Sequence, residues 1–287
     1  AIAIRDGRSS RVATHSFLFP TQIILQETPV GFPEQWGEIT ADYEMDPRIT
    51  KDPIYRDHLI PALQSLPSIS IATSNDHLFG AEKGIYANPS KQGIEWERPV
   101  SIEWIGRDGK THQIDSGLRI QGGWFRGAEV TRKHSFRLLF KRKYGEAKLE
   151  QNLFNEFGVT DQFDSLILRA GGNDGFSWHE ANGSAQYIRD EFGRRVVMAM
   201  RQPAPRGRFV HLYLNGCYWG LYNLCERPNE DFSSSYQGGR SEIWDSINTE
   251  AAKNGTLTEW SNLKTRITRT SDLGNYLSLQ GKDSRGE

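Results

Sequence analysis

Cysteine is scarce in this chain, which limits the covalent and metal chemistry available to it. The 287 residues include two cysteines, too few for a disulfide framework or a four-cysteine zinc site. Cys217 and Cys225 lie on one predicted strand, and at about 3.4 Å per residue their separation exceeds the Cα distance that a disulfide permits. We therefore expect no bond between them.

A surplus of one charge sign is also missing. The chain has 35 Lys and Arg against 36 Asp and Glu, a formal net charge of −1. Nucleic acids and anionic membranes attract proteins with a basic surplus, so composition supports neither partner. No stretch reaches the roughly 18 apolar residues of a membrane span. No secretory leader opens the chain, and because it starts without methionine and 12–19 reads as a strand, we expect a fragment of a longer protein.

Several catalytic signatures are absent from the sequence. It contains no Gly-x-Ser-x-Gly elbow, no His-Glu-x-x-His and no Cys-x-x-Cys, so serine hydrolase, zinc protease and zinc ribbon functions have no support. Asp174, His179 and Glu180 could ligate a metal, but no histidine pair fixes a geometry, and the metal stays unknown. The 8 Trp and 10 Tyr keep carbohydrate binding open, although such residues more often fill cores.

The sequence does contain many strand patterns and few helical ones. Apolar alternation and short apolar runs predict strands at 68–73, 98–105, 117–121, 134–141 and 163–170. Asn215-Gly216 between two apolar runs predicts a hairpin with a type I′ turn. Helical spacing predicts helices within 54–66, 184–200 and 257–267. The predicted fold class is therefore α+β, a mainly antiparallel sheet with a packed helix.

The chain divides into three regions by pattern. Residues 1–27 resemble the last strands of a β domain. Residues 28–66 carry several prolines with little periodicity, which is typical of a linker with a short helix. Residues 67–287 form the main region.

Positive charge is concentrated between residues 132 and 148, where seven basic side chains face one acid. On a strand, Lys133, Arg137 and Lys141 project to one face, so part of this charge forms a row. One interpretation is a bound anion. The other is a solvated sheet face, which is the usual role of a charge run.

A glycine-rich loop connects a strand to the predicted helix 184–200. Its sequence, RAGGNDGFSWHEANG at 169–183, stands where phosphates often bind, but the spacing matches neither the P-loop nor the dinucleotide fingerprint. In the helix, Asp190 and Glu191 interrupt an apolar stripe, either as a solvated face or as partners of a basic strand residue. Glu226 follows a buried strand and either lies at a pocket edge or caps the hairpin.

Four segments, in this order and spacing, resemble one family. HSFRLLFKRKYGEAKLEQNLF, FDSLILRAGGND, YIRDEFGRR and GRFVHLYLNGCYWGLYNLCERPNEDFSSSYQGG are similar to the CotH kinase family. The segment LPSISIATSNDHLFGAEKGIYANPSKQGIEWERPVSIEWI is similar to the part that precedes the kinase motifs in large secreted bacterial members. The first thirty residues resemble the end of a chitobiase-C-terminal-type β-sandwich.

This resemblance implies the small lobe of an atypical protein kinase. Such a protein would use ATP and Mg²⁺ to phosphorylate Ser or Thr of secreted, surface or coat proteins. By analogy, strand 163–170 offers a cation to the phosphates and the following helix an acid that orients it. Arg169 or Lys133 would be the cation, with Asp190 or Glu191 as its partner. Arg137 in the basic row would face the phosphates, and Glu226 would lie near the nucleotide where the lobes join.

The resemblance also implies that the catalytic and metal-binding aspartates lie beyond residue 287. Trp244-Asp245 is not their motif, so we expect no catalytic residue within this chain and no activity from it alone. Two alternatives stay open. One is a non-catalytic extracellular adhesion module on the same fold, and the other is a carbohydrate-binding accessory region.

Overall fold

The computed structural model describes residues 2–10, 12–154, 160–176, 178 and 183–282. Its contacts divide the chain into two compact units, the first ending at Arg227 and the second beginning at Pro228. The division falls within the CERP segment that follows the predicted hairpin.

The first unit contains most of the strands. They are β1 (Ile4–Arg5), β2 (Arg8–Ser9), β3 (Gln35–Trp36), β4 (Ile39–Thr40), β5 (Ser68–Ala72), β6 (Arg98–Ile105), β7 (Thr111–Gln121), β8 (Ser135–Leu139), β9 (Leu149–Glu150), β10 (Gln162–Phe163), β11 (Ser165–Arg169), β12 (Gly207–Leu214) and β13 (Cys217–Glu226). Its helices are α1 (Pro20–Ile23), α2 (Pro47–Thr50), α3 (Arg56–Ser65), α4 (Asn75–Phe79) and α5 (Arg189–Ala199).

Seven of these strands close into a barrel within the described part of the first unit. Their order is β11-β13-β12-β5-β6-β7-β8, and β8 pairs with β11 to complete the ring. Neighbouring strands are antiparallel except β5 and β12, which are parallel. Alternate residues point inward, so Ile71, Leu118 and Leu168 fill an apolar interior, while the outer face of the wall is mixed. The predicted α+β class with a mainly antiparallel sheet is confirmed.

The hairpin between β12 and β13 forms as its turn residues predict. Asn215 has φ +48° and Gly216 φ +84°, the positive values that a type I′ turn needs. The Asn215 side chain also accepts a hydrogen bond of 2.8 Å from the backbone N–H of Thr73, which ties the turn to the end of β5. Cys217 and Cys225 are buried and not disulfide-bonded, as the strand spacing predicts.

Two predictions for the first 66 residues need correction or refinement. The stretch 12–19 has no regular secondary structure, so the predicted strand there is wrong. Helix α3 starts at Arg56, within the predicted span 54–66, and carries Pro61 in its interior. The linker-like stretch also buries Trp36 and Tyr43 in the barrel's core. The region boundaries at residues 27 and 66, and the β-sandwich ending, stay predictions.

Helix α5 lies within the predicted span 184–200, but it buries an unexpected side. The side chain of Glu191 is buried, whereas Phe192 and Met200, members of the predicted apolar stripe, are 68% and 67% exposed. The outer wall of the barrel on which this helix packs presents Asn223 and the backbone of Gly207. Because this part of the wall is polar, the helix packs against it with its polar side.

The second unit is smaller. It contains α6 (Glu230–Gln237), β14 (Ser246–Asn248), β15 (Ala251–Asn254), α7 (Thr258–Ile267) and α8 (Leu273–Leu279). Helix α6 is followed by Gly238 and Gly239 at φ +81° and +78°. No helix in the described ranges of the chain has the length and apolar character needed to cross a bilayer.

Candidate functional site

Arg169 stands at the end of β11 and pairs with an acid of the helix that follows. In the barrel wall Arg169 is opposite Asn223 on the outer face, since its neighbour Leu168 points into the core. Its guanidinium donates a hydrogen bond to the carboxylate of Asp190 in the first turn of α5. Both side chains are about half-buried. The predicted salt bridge between the helix and a basic strand residue is therefore confirmed for this pair.

Glu191, the other predicted partner, is paired with two arginines of its own helix. Its carboxylate accepts hydrogen bonds of 2.8 Å from Arg195 Nε and 2.7 Å from Arg194 Nη2. Asn223 of β13 donates a third, at 3.2 Å. A buried carboxylate needs such partners because desolvation is costly. Glu191 thus holds α5 against the wall, and Asp190 is the acid that meets Arg169.

Asp174 fixes the start of α5 from the glycine-rich loop. The helix has no side-chain cap of its own at Ile188. Asp174 instead accepts the backbone N–H groups of Gln186 at 2.9 Å and Arg189 at 3.1 Å, which satisfies donors that a helix N-terminus leaves open. Asp174 therefore has a structural role at the start of the helix, and the metal role considered for it stays a prediction. His179 and Glu180, its predicted companions, lie outside the described residues.

A small pocket forms around the Arg169–Asp190 pair. It is lined by Arg169, Gly171, Asp174, Tyr187, Asp190, Glu191, Phe209 and Asn223. Gly171 adopts the left-handed conformation at φ +72°, which turns the chain sharply after β11. This pocket brings together three of the predicted site residues, Arg169, Asp190 and Glu191.

Arg137 lies on the same outer face, one strand away. Register places it opposite Ile167 of β11 and Arg119 of β7, so three arginines project from one face of three neighbouring strands. Arg137 Nη2 donates a hydrogen bond of 3.3 Å to the hydroxyl of Ser165. The pairing in the barrel thus aligns Arg119 with two predicted residues that are distant from it in sequence.

Lys133 is half-buried, and its ammonium points at a backbone carbonyl and two aromatic rings. Its ammonium donates a hydrogen bond of 2.7 Å to the carbonyl of Leu221 and lies 4.7 Å and 5.4 Å from the ring centroids of Tyr222 and Tyr187. Burial lowers the pKa of Lys133 to about 7, because a charged amine is poorly solvated there. Lys133 lines a larger cleft of ≈790 Å³ with Trp36, Tyr43 and Trp219. Tyr187 borders both this cleft and the Arg169 pocket.

Glu226 is separated from Arg169 by the barrel wall. It is opposite Leu166, a core residue, whereas Arg169 is opposite Asn223, so the two side chains leave the wall on different faces. Glu226 is 4% exposed, and its carboxylate accepts the backbone N–H of Arg206 at 2.8 Å. This contact joins the start of β12 to the end of β13, which matches the cap described from the sequence.

The basic row predicted between residues 132 and 148 does not stay together. Arg132 pairs with Asp42 at 3.6 Å and Lys148 with Asp164 at 3.3 Å. Lys141 and Lys143 both pair with Glu97, at 2.8 Å and 2.9 Å. The row divides because β8 ends at Leu139, after which the chain leaves the strand alternation on which the row depends.

The described residues of this site do not form a cluster of metal ligands. Across residues 2–10, 12–154, 160–176, 178 and 183–282, no group of three or more His, Cys, Asp or Glu side chains is arranged to hold a metal ion. Asp174 and Glu191 already have their oxygens engaged by N–H donors. We therefore assign no metal ligand.

Comparison with known proteins identifies the family. The family model described as CotH kinase protein matches residues 118–273, more than half of the 287-residue chain. The chain belongs to the CotH kinase family. A search of curated proteins finds no match.

The CotH match covers every residue predicted for the nucleotide site. It begins in β7 and extends through β8, β11, α5 and the β12–β13 hairpin into the second unit. It does not reach Glu97, although Glu97 contacts Lys141 and Arg119 within the matched region. The strands β5 and β6 that complete the barrel also precede the match.

Sequence reasoning missed several residues around this CotH site. Glu97, Arg119 and Asn223 carry no motif, since each reaches its partners across strands far apart in the chain. Arg194, which stands in the segment YIRDEFGRR, was not among the predicted site residues. One usable signal was the strand alternation around Gly117–Gln121, which places Arg119 on the side opposite Leu118.

Proposed function

We propose that this chain is the nucleotide-binding part of a CotH-type protein kinase. The reaction would transfer the γ-phosphoryl group of ATP to Ser or Thr of secreted, surface or coat proteins. The contact of Arg169 with Asp190, in a member of this family, is the observation that supports the proposal most.

The order of elements around this pair suits phosphate binding. In protein kinases a lysine on a strand of the small lobe pairs with a glutamate of the next helix, and the lysine contacts the ATP phosphates. Here the strand β11 ends in Arg169, and the next helix, α5, supplies Asp190. An arginine fork donates two parallel hydrogen bonds to phosphate, so this replacement keeps the charge and adds orientation.

Neighbouring groups add positive charge to the same face. Arg137 follows Arg169 across the wall, and a triphosphate is long enough to meet both of them. Glu191 would act indirectly, since it anchors α5 and thereby positions Asp190. Lys133 and Glu226 remain predicted contacts, and their burial favours a structural role for each.

The metal expected in such a reaction has no assigned site. Mg²⁺ would neutralise charge between the β- and γ-phosphates. Because the described residues offer no ligand cluster, we derive no step through it.

Calorimetry with ATP tests the proposal. We expect Arg169→Ala to lower ATP affinity at least tenfold, since a hydrogen bond to a charged group contributes about 1.5–3 kcal/mol. Arg169→Lys should retain part of the affinity because it keeps the charge without the fork.

Lys148→Ala is the matched control, because Lys148 also pairs with one carboxylate but lies outside the pocket. ATP affinity equal in Arg169→Ala and the unaltered chain would rule out the assigned site.

A glycan-binding function is the second candidate, and the aromatic wall of the larger cleft favours it. Trp36, Tyr43 and Trp219 line that cleft, but Trp36 and Tyr43 are each 4% exposed and pack within the core. Trp219 is the partly exposed ring. Binding of glycans, lost in Trp219→Ala and without any ATP binding, would favour this candidate over the kinase.

A further inference from the structure

Glu97 is a buried carboxylate surrounded by an unusual number of cations. Its side chain has no solvent exposure, and its oxygens accept hydrogen bonds from Lys141, Lys143, Tyr144 and Arg119. We call these five residues the Glu97 cluster. Burial raises the pKa of Glu97, but the hydrogen bonds from its neighbours outweigh burial and lower it to about 2. Glu97 is therefore ionised at neutral pH.

The charges of the Glu97 cluster do not balance. Three cations against one carboxylate leave a formal surplus of +2. One arginine fork can satisfy a carboxylate with two parallel hydrogen bonds. Two further ammonium groups lie 2.8 Å and 2.9 Å from the same carboxylate. Keeping them there costs free energy, because the positive charges repel one another.

The surplus charge is accessible. Arg119, Lys141 and Lys143 side chains are 23%, 34% and 47% exposed. Each lysine ammonium has three donor hydrogens, and Glu97 cannot take them all because a carboxylate has about four acceptor positions. The donor hydrogens beyond those positions belong to side chains that are partly exposed to solvent. Asp115 and Glu146 line a separate depression with Val12 and Gln113.

We propose that the Glu97 cluster is a binding site for a phosphate dianion. A phosphate monoester carries about −1.5 to −2 charges at pH 7 and presents three strong acceptor oxygens, which matches the surplus and the free donors. The group can come as free phosphate or as the phosphoryl group of a phosphorylated side chain. Glu97 would act as the positioning residue that holds the three cations together.

This site is distinct from the pocket at Arg169. Arg119 lies two strands and one pleat away from Arg169 by register, which corresponds to roughly 12 Å between their Cα atoms. The Glu97 cluster also contains no residue of α5. It therefore extends the anion chemistry of this face beyond the proposed nucleotide site and does not depend on it.

Binding of inorganic phosphate, measured by calorimetry at constant ionic strength, tests the proposal. We expect Lys143→Met to lower phosphate affinity about tenfold, because it removes one charge-assisted contact. Lys143 is the most exposed of the three cations, and Glu97 keeps Arg119 and Lys141, so this variant should fold. Thermal melting confirms folding for each variant.

Two control variants test whether the positive surplus of the Glu97 cluster accounts for phosphate binding. They change a lysine outside the cluster and an uncharged donor within it. Lys148→Met removes a lysine from a balanced pair and should change phosphate affinity less than twofold. Tyr144→Phe removes an uncharged donor to Glu97 and should leave most of the affinity. Undetectable phosphate binding by the unaltered chain, or equal binding by Lys143→Met, would overturn the proposal.

Arg169→Ala distinguishes this proposal from the nucleotide site. The Arg169→Ala variant should bind phosphate as tightly as the unaltered chain does, even if its ATP affinity falls. Loss of phosphate binding in this variant would place the anion at Arg169 instead. A phosphoserine peptide and its unphosphorylated form identify the source. Tighter binding of the phosphopeptide than of phosphate, weakened in Lys143→Met, indicates a peptide-borne group, and the reverse order indicates free phosphate.

Discussion

Basic residues that look alike in the sequence have different environments in the structure. Lys133 and Arg169 are both basic residues predicted to meet phosphate. Arg169 lies half-exposed beside Asp190, whereas Lys133 is enclosed by Tyr187 and Tyr222. The same charge is therefore available for a ligand in one place and costly to maintain in the other.

The buried amine predicts how stability depends on pH. The pKa of Lys133 is about 7 in the folded protein, against 10.5 for an ordinary lysine, so between these values the unfolded chain binds more protons and stability rises with pH. From pH 7 to 9 we expect the free energy of unfolding to rise by about 2 kcal/mol more than in Lys133→Met. Urea unfolding across this range measures it.

Tyrosine ionisation affects both proteins above this range, so the comparison stops at pH 9. Parallel pH profiles for the two proteins would show that Lys133 stays charged in the fold.

At the scale of elements, one close approach positions α5. A Cβ atom on Gly207 would lie 2.4 Å from Glu191 Oε2 and 2.9 Å from both Arg194 Nη2 and Asn223 Oδ1. The absence of a side chain at Gly207 lets the buried polar side of α5 reach the barrel wall. Because Asp190 precedes Glu191, this contact also sets where the acid meets Arg169.

Substitution of this glycine should loosen α5. We expect Gly207→Ala to lower the free energy of unfolding by about 1–3 kcal/mol, as overpacking does in tight sites. Gly193→Ala is the matched control within α5, since a Cβ there meets nothing within 4 Å. It should stabilise the helix by about 0.5–1 kcal/mol. Thermal or urea unfolding measures both, and equal effects of the two would contradict this account.

On the scale of the molecule, burial is unevenly distributed. The buried hydrophobic side chains of the described residues all lie at or before Cys225. Most of them form one core cluster with the barrel, which, being closed, leaves no open sheet edge within its ring. The second unit has helices and a small hairpin but buries little apolar surface.

Hydrogen exchange should reveal this difference. Amides in β5–β8 and β11–β13 are expected to open only with global unfolding, because they are hydrogen-bonded around an apolar core. Amides in residues 228–282 should exchange at least tenfold faster. Mass spectrometry of peptides from both units measures it, and equal protection in the second unit would contradict the expectation.

Much of the barrel is predictable from alternation because each strand buries one face. The strand Arg98–Ile105 has the predicted bounds, and the Asn215-Gly216 turn has the predicted conformation. Most other strand bounds shifted by one or two residues, but β7 begins at Thr111, six residues before the predicted start at 117. The orientation of α5 was not predictable, since its apolar stripe favours the opposite side and the polar wall opposite it comes from β12 and β13.

The sequence by itself determined which residues lie inside the wall, where the hairpin turns and that a cation at the end of one strand precedes an acid in the next helix. These are local properties, set by side-chain period and backbone preference. Only the tertiary structure decided which charges meet. Arg169 selects Asp190, and Lys141 and Lys143 share Glu97 with Arg119, because strand pairing brings together residues that no short-range pattern relates.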